Sequence, residues 1–305
     1  MIKKNRKKVL VILGPTGSGK SDLALELAKK FGGYLISADS QQIYKYSNIG
    51  SNKDQGSWKN EEYLVQGIPE YLVDFLEPGQ KYSAGQWVED VKKIIKKNND
   101  KLPIIVGGTG LYIDSLVKNY DLGGEPNEKL REKLEKEYHD KGLDFILKKI
   151  EKIDPLISEK IEIKNPRRVL RAAEIILSAK KPLSIGKGES EFDFLKIGID
   201  LDRQELYKRL DNRAKKQIET GLIEETKKIL DKIKDTKDPL LLGVGNRQSA
   251  RFIKGEIDKN ELIALNSRDN RRYAKRQLTW FRRDRSIHWL KDKKEAEKLI
   301  SEFIE

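Results

Sequence analysis

Residues Val9 to Phe31 read VLVILGPTGSGKSDLALELAKKF, and the centre of this stretch, Gly14-Pro15-Thr16-Gly17-Ser18-Gly19-Lys20-Ser21, fits the pattern G-x-x-x-x-G-K-[ST]. The run before it, Lys8 to Leu13, is short, apolar and rich in β-branched residues, which predicts a buried parallel strand. Behind it, Leu23, Leu25, Leu27, Ala28 and Phe31 mark an amphipathic helix from Ser21, stopped by Gly32-Gly33. Strand, glycine loop and helix therefore follow in the order a phosphate site needs. The backbone N–H groups of Thr16 to Ser21 are expected to point into the loop. The helix N-terminus adds a partial positive charge and Lys20 a full one. Ser21 offers a hydroxyl to Mg²⁺.

The pattern continues outward. Tyr34 to Ser37 reads as a second strand that delivers ADSQQIYK at its end, and Glu70 to Pro78 as a third. Ser83-x-x-Gln86 is a capping box that opens a helix through about Asn98. Leu102 to Val106 is another apolar strand, ending in Gly107-Gly108-Thr109-Gly110, with a helix after it. Such alternation predicts an α/β fold: a P-loop-type parallel sheet core. The character changes at Gly123-Gly124-Glu125-Pro126. From Asn127 to Leu183 the chain is helical and charged, before a strand returns over Phe192 to Arg203. The expected organisation is a first part of the core over 1–122, a helical insertion over 123–190, and core completion with basic helices over 191–305.

Composition narrows the class. The chain has 305 residues, ample for a core with an elaboration. A net charge of +13 points to a polyanionic partner, although scattered lysines alone give part of it. The absence of cysteine excludes a disulfide framework and a Cys-type zinc site. Neither a signal-peptide run nor a membrane-length apolar run is present, so a cytoplasmic location is expected. No heptad repeat stands out, and a monomer is expected.

The loop alone leaves the reaction open. Nucleotide triphosphatases usually place a Mg²⁺-holding Asp at the end of a later apolar strand. Here that strand, PIIVGG, ends in glycine, with Asp74 as an alternative holder or merely a charge leaving a strand. Asp39 lies at the second strand's C-terminal end, where ligands bind in open α/β sheets. A carboxylate there serves either as a base or as a helix N-cap. Thr109 reaches the same edge after two glycines.

Several motifs then occur in one order: GPTGSGKS, ISADSQQIYK, NIGSNK, YLVDFLEPGQKYSAGQW, IIVGGTGLYI, NPRRVLRAAEI, LYKRLDNRA, GVGNRQ and RRYAKRQLTWFRRD. Together, over about Val9 to Asp284, they resemble the tRNA dimethylallyltransferase family. The resemblance implies transfer of a dimethylallyl group from dimethylallyl diphosphate to N6 of adenosine 37, in the anticodon stem-loop of tRNAs that read codons beginning with U. It implies Mg²⁺ as cofactor, held through Ser21, and the Gly14–Ser21 loop with Arg213 (or, as the alternative, Arg209) on the diphosphate. Asp39 takes the amine proton by the same resemblance, with Thr109 and Lys20 as its catalytic partners. It further implies tRNA contacts through Asp39, Ser40, Gln41, Gln42, Thr109, Arg131, Arg167, Arg168, Arg171 and Arg247. Departures are Ser21 where the family commonly has threonine, and Glu70 and Tyr71 where it often has histidines. His139 and His288 fall in stretches read as helical and receive no role.

The basic C-terminal helix is legible without the family. From Asn266 to Lys294 there are eleven Lys/Arg and three Asp, a net +8. Tyr273, Gln277, Trp280, Phe281 and Asp284 share a stripe that suits packing. Arg276 and its basic neighbours lie off it and suit RNA phosphates. Three other classes share some of these features. An adenylate isopentenyltransferase would need neither the insertion nor the basic helix. A small-molecule kinase would use the loop for ATP. A non-catalytic RNA binder would leave the loop unexplained.

Overall fold

The computed structural model describes residues 6–120, 127–183, 189–233, 235, 238–290 and 293–305. Strand β1 (Lys7–Leu13) is buried from Val9 onward because it has a parallel neighbour on each side. These are β6 (Leu102–Gly107) and β7 (Phe192–Ile199). Beyond β6 lie β2 (Gly33–Ala38) and β5 (Ile68–Tyr71), and beyond β7 lies β8 (His288–Leu290). All these pairs are parallel. Crossover helices account for the near-continuous apolar strands: α1 (Lys20–Phe31), α2 (Ala84–Lys97) and α3 (Gly110–Val117). Trp87 of α2 is fully buried, donates its indole N–H to the Ser37 carbonyl at 2.9 Å, and stacks on Tyr112.

One edge differs from the sequence expectation. Strands β3 (Ser57–Lys59) and β4 (Glu62–Val65) form an antiparallel meander with β5, giving the order β3-β4-β5-β2-β6-β1-β7-β8. Two-residue turns close it, at Asn60-Glu61 and Gln66-Gly67, with positive φ at all four positions. That is the backbone of the twisted hairpin turn. The strand expected over Glu70 to Pro78 stops at Tyr71, because Leu72 and Asp74 both have positive φ. Likewise β7 ends at Ile199 rather than Arg203, since Asp202 caps the next helix through the N–H groups of Gln204 and Glu205.

The later helices are α8 (Arg203–Glu219), α9 (Leu222–Leu230), α10 (Asn246–Ile253), α11 (Lys259–Phe281) and α12 (Lys293–Ile304). The basic helix read through Lys294 therefore ends at Phe281, and His288 belongs to a strand. The expected boundary at Gly123-Gly124-Glu125-Pro126, and Lys291 and Asp292 of the basic run, lie outside the described residues. The capping box at Ser83 and Gln86 is formed as read.

The chain divides into two compact units, Met1–Ile113 with Glu191–Glu305, and Asp114–Ser190. The second is built from α4 (Glu128–Lys141), α5 (Leu143–Glu151), α6 (Ile157–Lys160) and α7 (Pro166–Ala179) around its own core of Leu134, Ile146, Ile150, Ile157, Val169 and Ile176. Asn165 caps α7 and Pro166 occupies its first turn, which needs no N–H there.

Candidate active site

Three neighbouring strand ends build the site. Gly107 of β6 pairs with Leu13 of β1 on one side and Ala38 of β2 on the other. A Cβ on Gly107 would stand 2.2 Å from the Ala38 carbonyl oxygen, so only glycine lets these ends meet. The phosphate loop leaves β1, Asp39 leaves β2, and Thr109 follows β6. Within the loop, Gly14, Gly17 and Gly19 all have positive φ. Ser18 N–H donates to the Pro15 carbonyl at 3.2 Å and Thr16 N–H to Gln277 Oε1 at 2.8 Å. Of the N–H groups from Thr16 to Ser21, these two already have partners within the protein.

Cations converge on the same loop. Burial pulls the Lys20 ammonium down to about 8, opposed by Asp39 and Asp54 and reinforced by the nearby Arg213. A charge shielded from water in this way is favoured by a neighbouring anion. Arg213 of α8 donates to Thr16 Oγ1 at 2.7 Å and to Asn270 Oδ1 at 2.7 Å. Burial brings it down to about 10, and its Nε is buried with no hydrogen-bond partner. A ligand oxygen would satisfy that donor. Arg209 instead pairs with Glu205 at 2.5 Å on an exposed face. The structure brings Arg213 to the loop, and not Arg209.

At the β2 end, Asp39 Oδ1 accepts the N–H of Gln41 at 2.8 Å and of Gln42 at 3.4 Å. No helix follows Asp39, so it is not a helix N-cap; the two bonds close a local turn that fixes the carboxylate. Asp39 also lies in the electrostatic field of Lys20 and Arg213. Ser40 N–H donates to Thr109 Oγ1 at 3.0 Å, and Thr109 N–H to the Ala38 carbonyl at 3.0 Å. Gln42 donates to the Asn52 carbonyl at 3.1 Å, and Gln41 to the Pro239 carbonyl at 3.3 Å. The Tyr273 hydroxyl meets Thr109 and Gln277. Burial raises its pKa, the Asp39 charge adds to this, and those two bonds oppose it.

Ser21 and Asp54 are the residues beside the loop that could hold a divalent ion: the Asp54 carboxylate, raised by burial, accepts from the Ser21 hydroxyl. Hydroxyl and carboxylate are hard oxygen donors, as Mg²⁺ requires. Asp74 is not part of this pair. It is held by Lys53 at 2.5 Å and by the Trp58 indole at 3.1 Å.

The expected tRNA-contacting arginines fall in both units. In the Asp114–Ser190 unit, Arg131 and Arg171 converge on buried Glu174 at 3.0 and 2.9 Å. Arg168 pairs with Glu162 at 3.0 Å, and Arg167 is exposed in the first turn of α7. In the other unit, Arg247 and Arg268 both bind buried Asp269, at 2.5 and 3.1 Å. Arg276 is exposed and lies over the Tyr273 ring.

Asn270, Gln277 and Asp54 belong to the site without having been read as site residues. Asn266, Asn270, Tyr273 and Gln277 follow helical spacing along α11, and the three amide residues among them are buried. A polar stripe where an apolar one is expected was the available signal.

Fold and sheet edge together define an enzyme of the P-loop α/β class, with an acid beside its phosphate loop. The family model for IPP transferase matches residues 42–284, and that for isopentenyl transferase matches residues 7–67. The chain belongs to the IPP transferase family. The tRNA dimethylallyltransferase of Acetivibrio thermocellus is 40% identical over 301 residues, covering 96% of this chain and 94% of its own. That of Carboxydothermus hydrogenoformans is 40% identical over 306 residues, covering 98% and 96%. The crystal structure of the tRNA isopentenylpyrophosphate transferase of Bacillus halodurans is similar with a TM-score of 0.69 at 32% identity, covering 98% and 96%.

Proposed function

We propose that this chain transfers the dimethylallyl group of dimethylallyl diphosphate to N6 of adenosine 37 in tRNA. The observation that carries the reading is the junction of three strand ends, which sets a fixed carboxylate beside a cationic phosphate loop. In the reaction the adenine amine attacks C1 of the donor. The N6–C1 bond forms, the C1–O bond breaks, and diphosphate leaves with the electron pair. The amine proton passes to Asp39, whose Oδ1 is already occupied by two N–H groups and whose Oδ2 receives it. Thr109, tied to Ser40, lies between acid and loop and orients the amine. Lys20, Arg213 and the Gly14–Ser21 loop bind the diphosphate and offset the charge it gains. Mg²⁺, held by Ser21 and Asp54, supplies further charge neutralisation when bound.

A stacked adenine cannot reach Asp39, so the acceptor base must be extracted, which costs least from an anticodon loop. Ser40, Gln41 and Gln42, beside Asp39, suit its edge. Arg131, Arg167, Arg168, Arg171, Arg247 and Arg276 suit the phosphates. The test is transfer of labelled prenyl group from dimethylallyl diphosphate to unmodified tRNA, with AMP as competing acceptor. Label in tRNA is expected. Label only in AMP places the chain with the adenylate enzymes, and ATP consumption without prenyl transfer makes it a kinase.

A further inference from the structure

Gln277 stands where the two halves of the proposed chemistry meet. Its carboxamide is buried on α11, 5% exposed, and both ends are used. Oε1 accepts the Thr16 N–H of the phosphate loop at 2.8 Å, and Nε2 donates to the Gly108 carbonyl at 3.0 Å, one residue before Thr109. The loop and the Thr109 turn leave different strands. Past the paired strand ends, this one amide spans them. The opposing surface is shaped to receive it: a Cβ on Gly108 would stand 2.0 Å from Nε2. Along the same helix, Asn270 holds Arg213, which donates to the Thr16 hydroxyl. Tyr273 meets both Thr109 and Gln277.

We propose that Gln277 is a positioning residue that sets the distance between the diphosphate and the Asp39–Thr109 edge, acting through the Thr16 and Gly108 backbones without touching substrate. The proposal rests on the prenyl-transfer reading. In a displacement at carbon, nucleophile, C1 and leaving oxygen must lie in line, and the base must meet the amine as the C1–O bond lengthens. Donor and acceptor sit on separate loops, so each can bind well while their mutual placement is wrong. Loss of the tie should therefore spare binding and slow the chemical step, since a misplacement of about 1 Å costs roughly 10²-fold.

The experiment compares wild type, Gln277→Leu, Gln277→Asn, Gly108→Ala and the Leu/Ala double variant with dimethylallyl diphosphate and unmodified tRNA. Gln277→Asn keeps a carboxamide one methylene short of spanning both partners, and serves if the Leu variant does not fold. Gly108→Ala displaces the amide without altering it. The expected result is a roughly 10²-fold lower kcat in Gln277→Leu and Gly108→Ala, with KM for both substrates within about threefold. The double variant should be no worse than either single one, as expected for two residues of one contact. An unchanged kcat, a loss confined to KM for the donor, or losses that multiply would overturn the proposal. Amide exchange at Thr16, read by NMR without substrates, should accelerate at least about tenfold in Gln277→Leu, because that N–H loses its acceptor. Unaltered exchange overturns the tie even where wild type itself proves inactive, an outcome that by itself refutes only the functional reading.

Discussion

Asp39 and Lys20 carry opposite charges a short way apart, and each has a measurable consequence. Asp39→Asn keeps the acceptor that orders the Gln41 and Gln42 amides while removing the base. Prenyl transfer should fall by about 10²–10⁴-fold, with donor affinity retained in calorimetric titration. Lys20 releases its proton near pH 8 in the ligand-free protein because burial disfavours the charge. In the proposed reaction the protonated amine is the form that binds diphosphate. Affinity for a non-reactive donor analogue should therefore weaken from pH 8 to 9.5. Glu70 shows the reverse perturbation, with burial raising it to about 8, Asp54 adding to this and Lys53 opposing it. Between its unfolded value near 4.5 and that point, the native state holds a proton the unfolded chain has lost. Glu70 thus favours folding at low pH, and this contribution disappears as pH rises through 8. Glu70→Gln should melt above wild type at pH 9, by a margin that shrinks toward pH 5.

Among elements, legibility followed length and period. α2 announces itself through Ser83 and Gln86, and its cap is formed as read. Ser83→Ala should cost about 1 kcal/mol, measured by denaturant unfolding. β1, β2 and β6 are buried on both faces and read as unbroken apolar runs. β3 escaped because its three residues are all exposed, and an edge strand of SWK carries no period to detect. β8 is as short, and charged neighbours hid it. The site divided in the same way. Gly14–Ser21 is contiguous and legible, whereas Gln277 lies 261 residues from Thr16 and no local pattern joins them. Even α11 misled at its end, since the basic run continues past the helix that stops at Phe281.

For the whole molecule, charge is the measurable property. Of the excess of +13, the Asp114–Ser190 unit carries +2 and the other unit +11, and RNA affinity should depend steeply on salt. Arg167 is exposed near the N-terminus of α7. Arg167→Ala should weaken binding of all tRNAs alike and reduce the slope of log K against log salt by about 1, read by filter binding across a salt series. Glu174 joins Arg131, Arg171 and the Asn127 N–H from within its own unit. Arg171→Ala is therefore expected to lower the melting temperature as well as affinity, and Arg167→Ala affinity alone.

The pairing of β1 with β7 bears on how the protein is made. Lys7 meets Phe192 and Leu13 meets Gly198 across the middle of the sheet. On the ribosome, β1 stays an open, apolar edge until that later segment emerges, a state prone to pairing with the wrong strand. Thr16 waits longer still, for a helix that begins at Lys259. A chain released early can possess the entire phosphate loop and still lack a working site, so competence arrives only with the last part of synthesis.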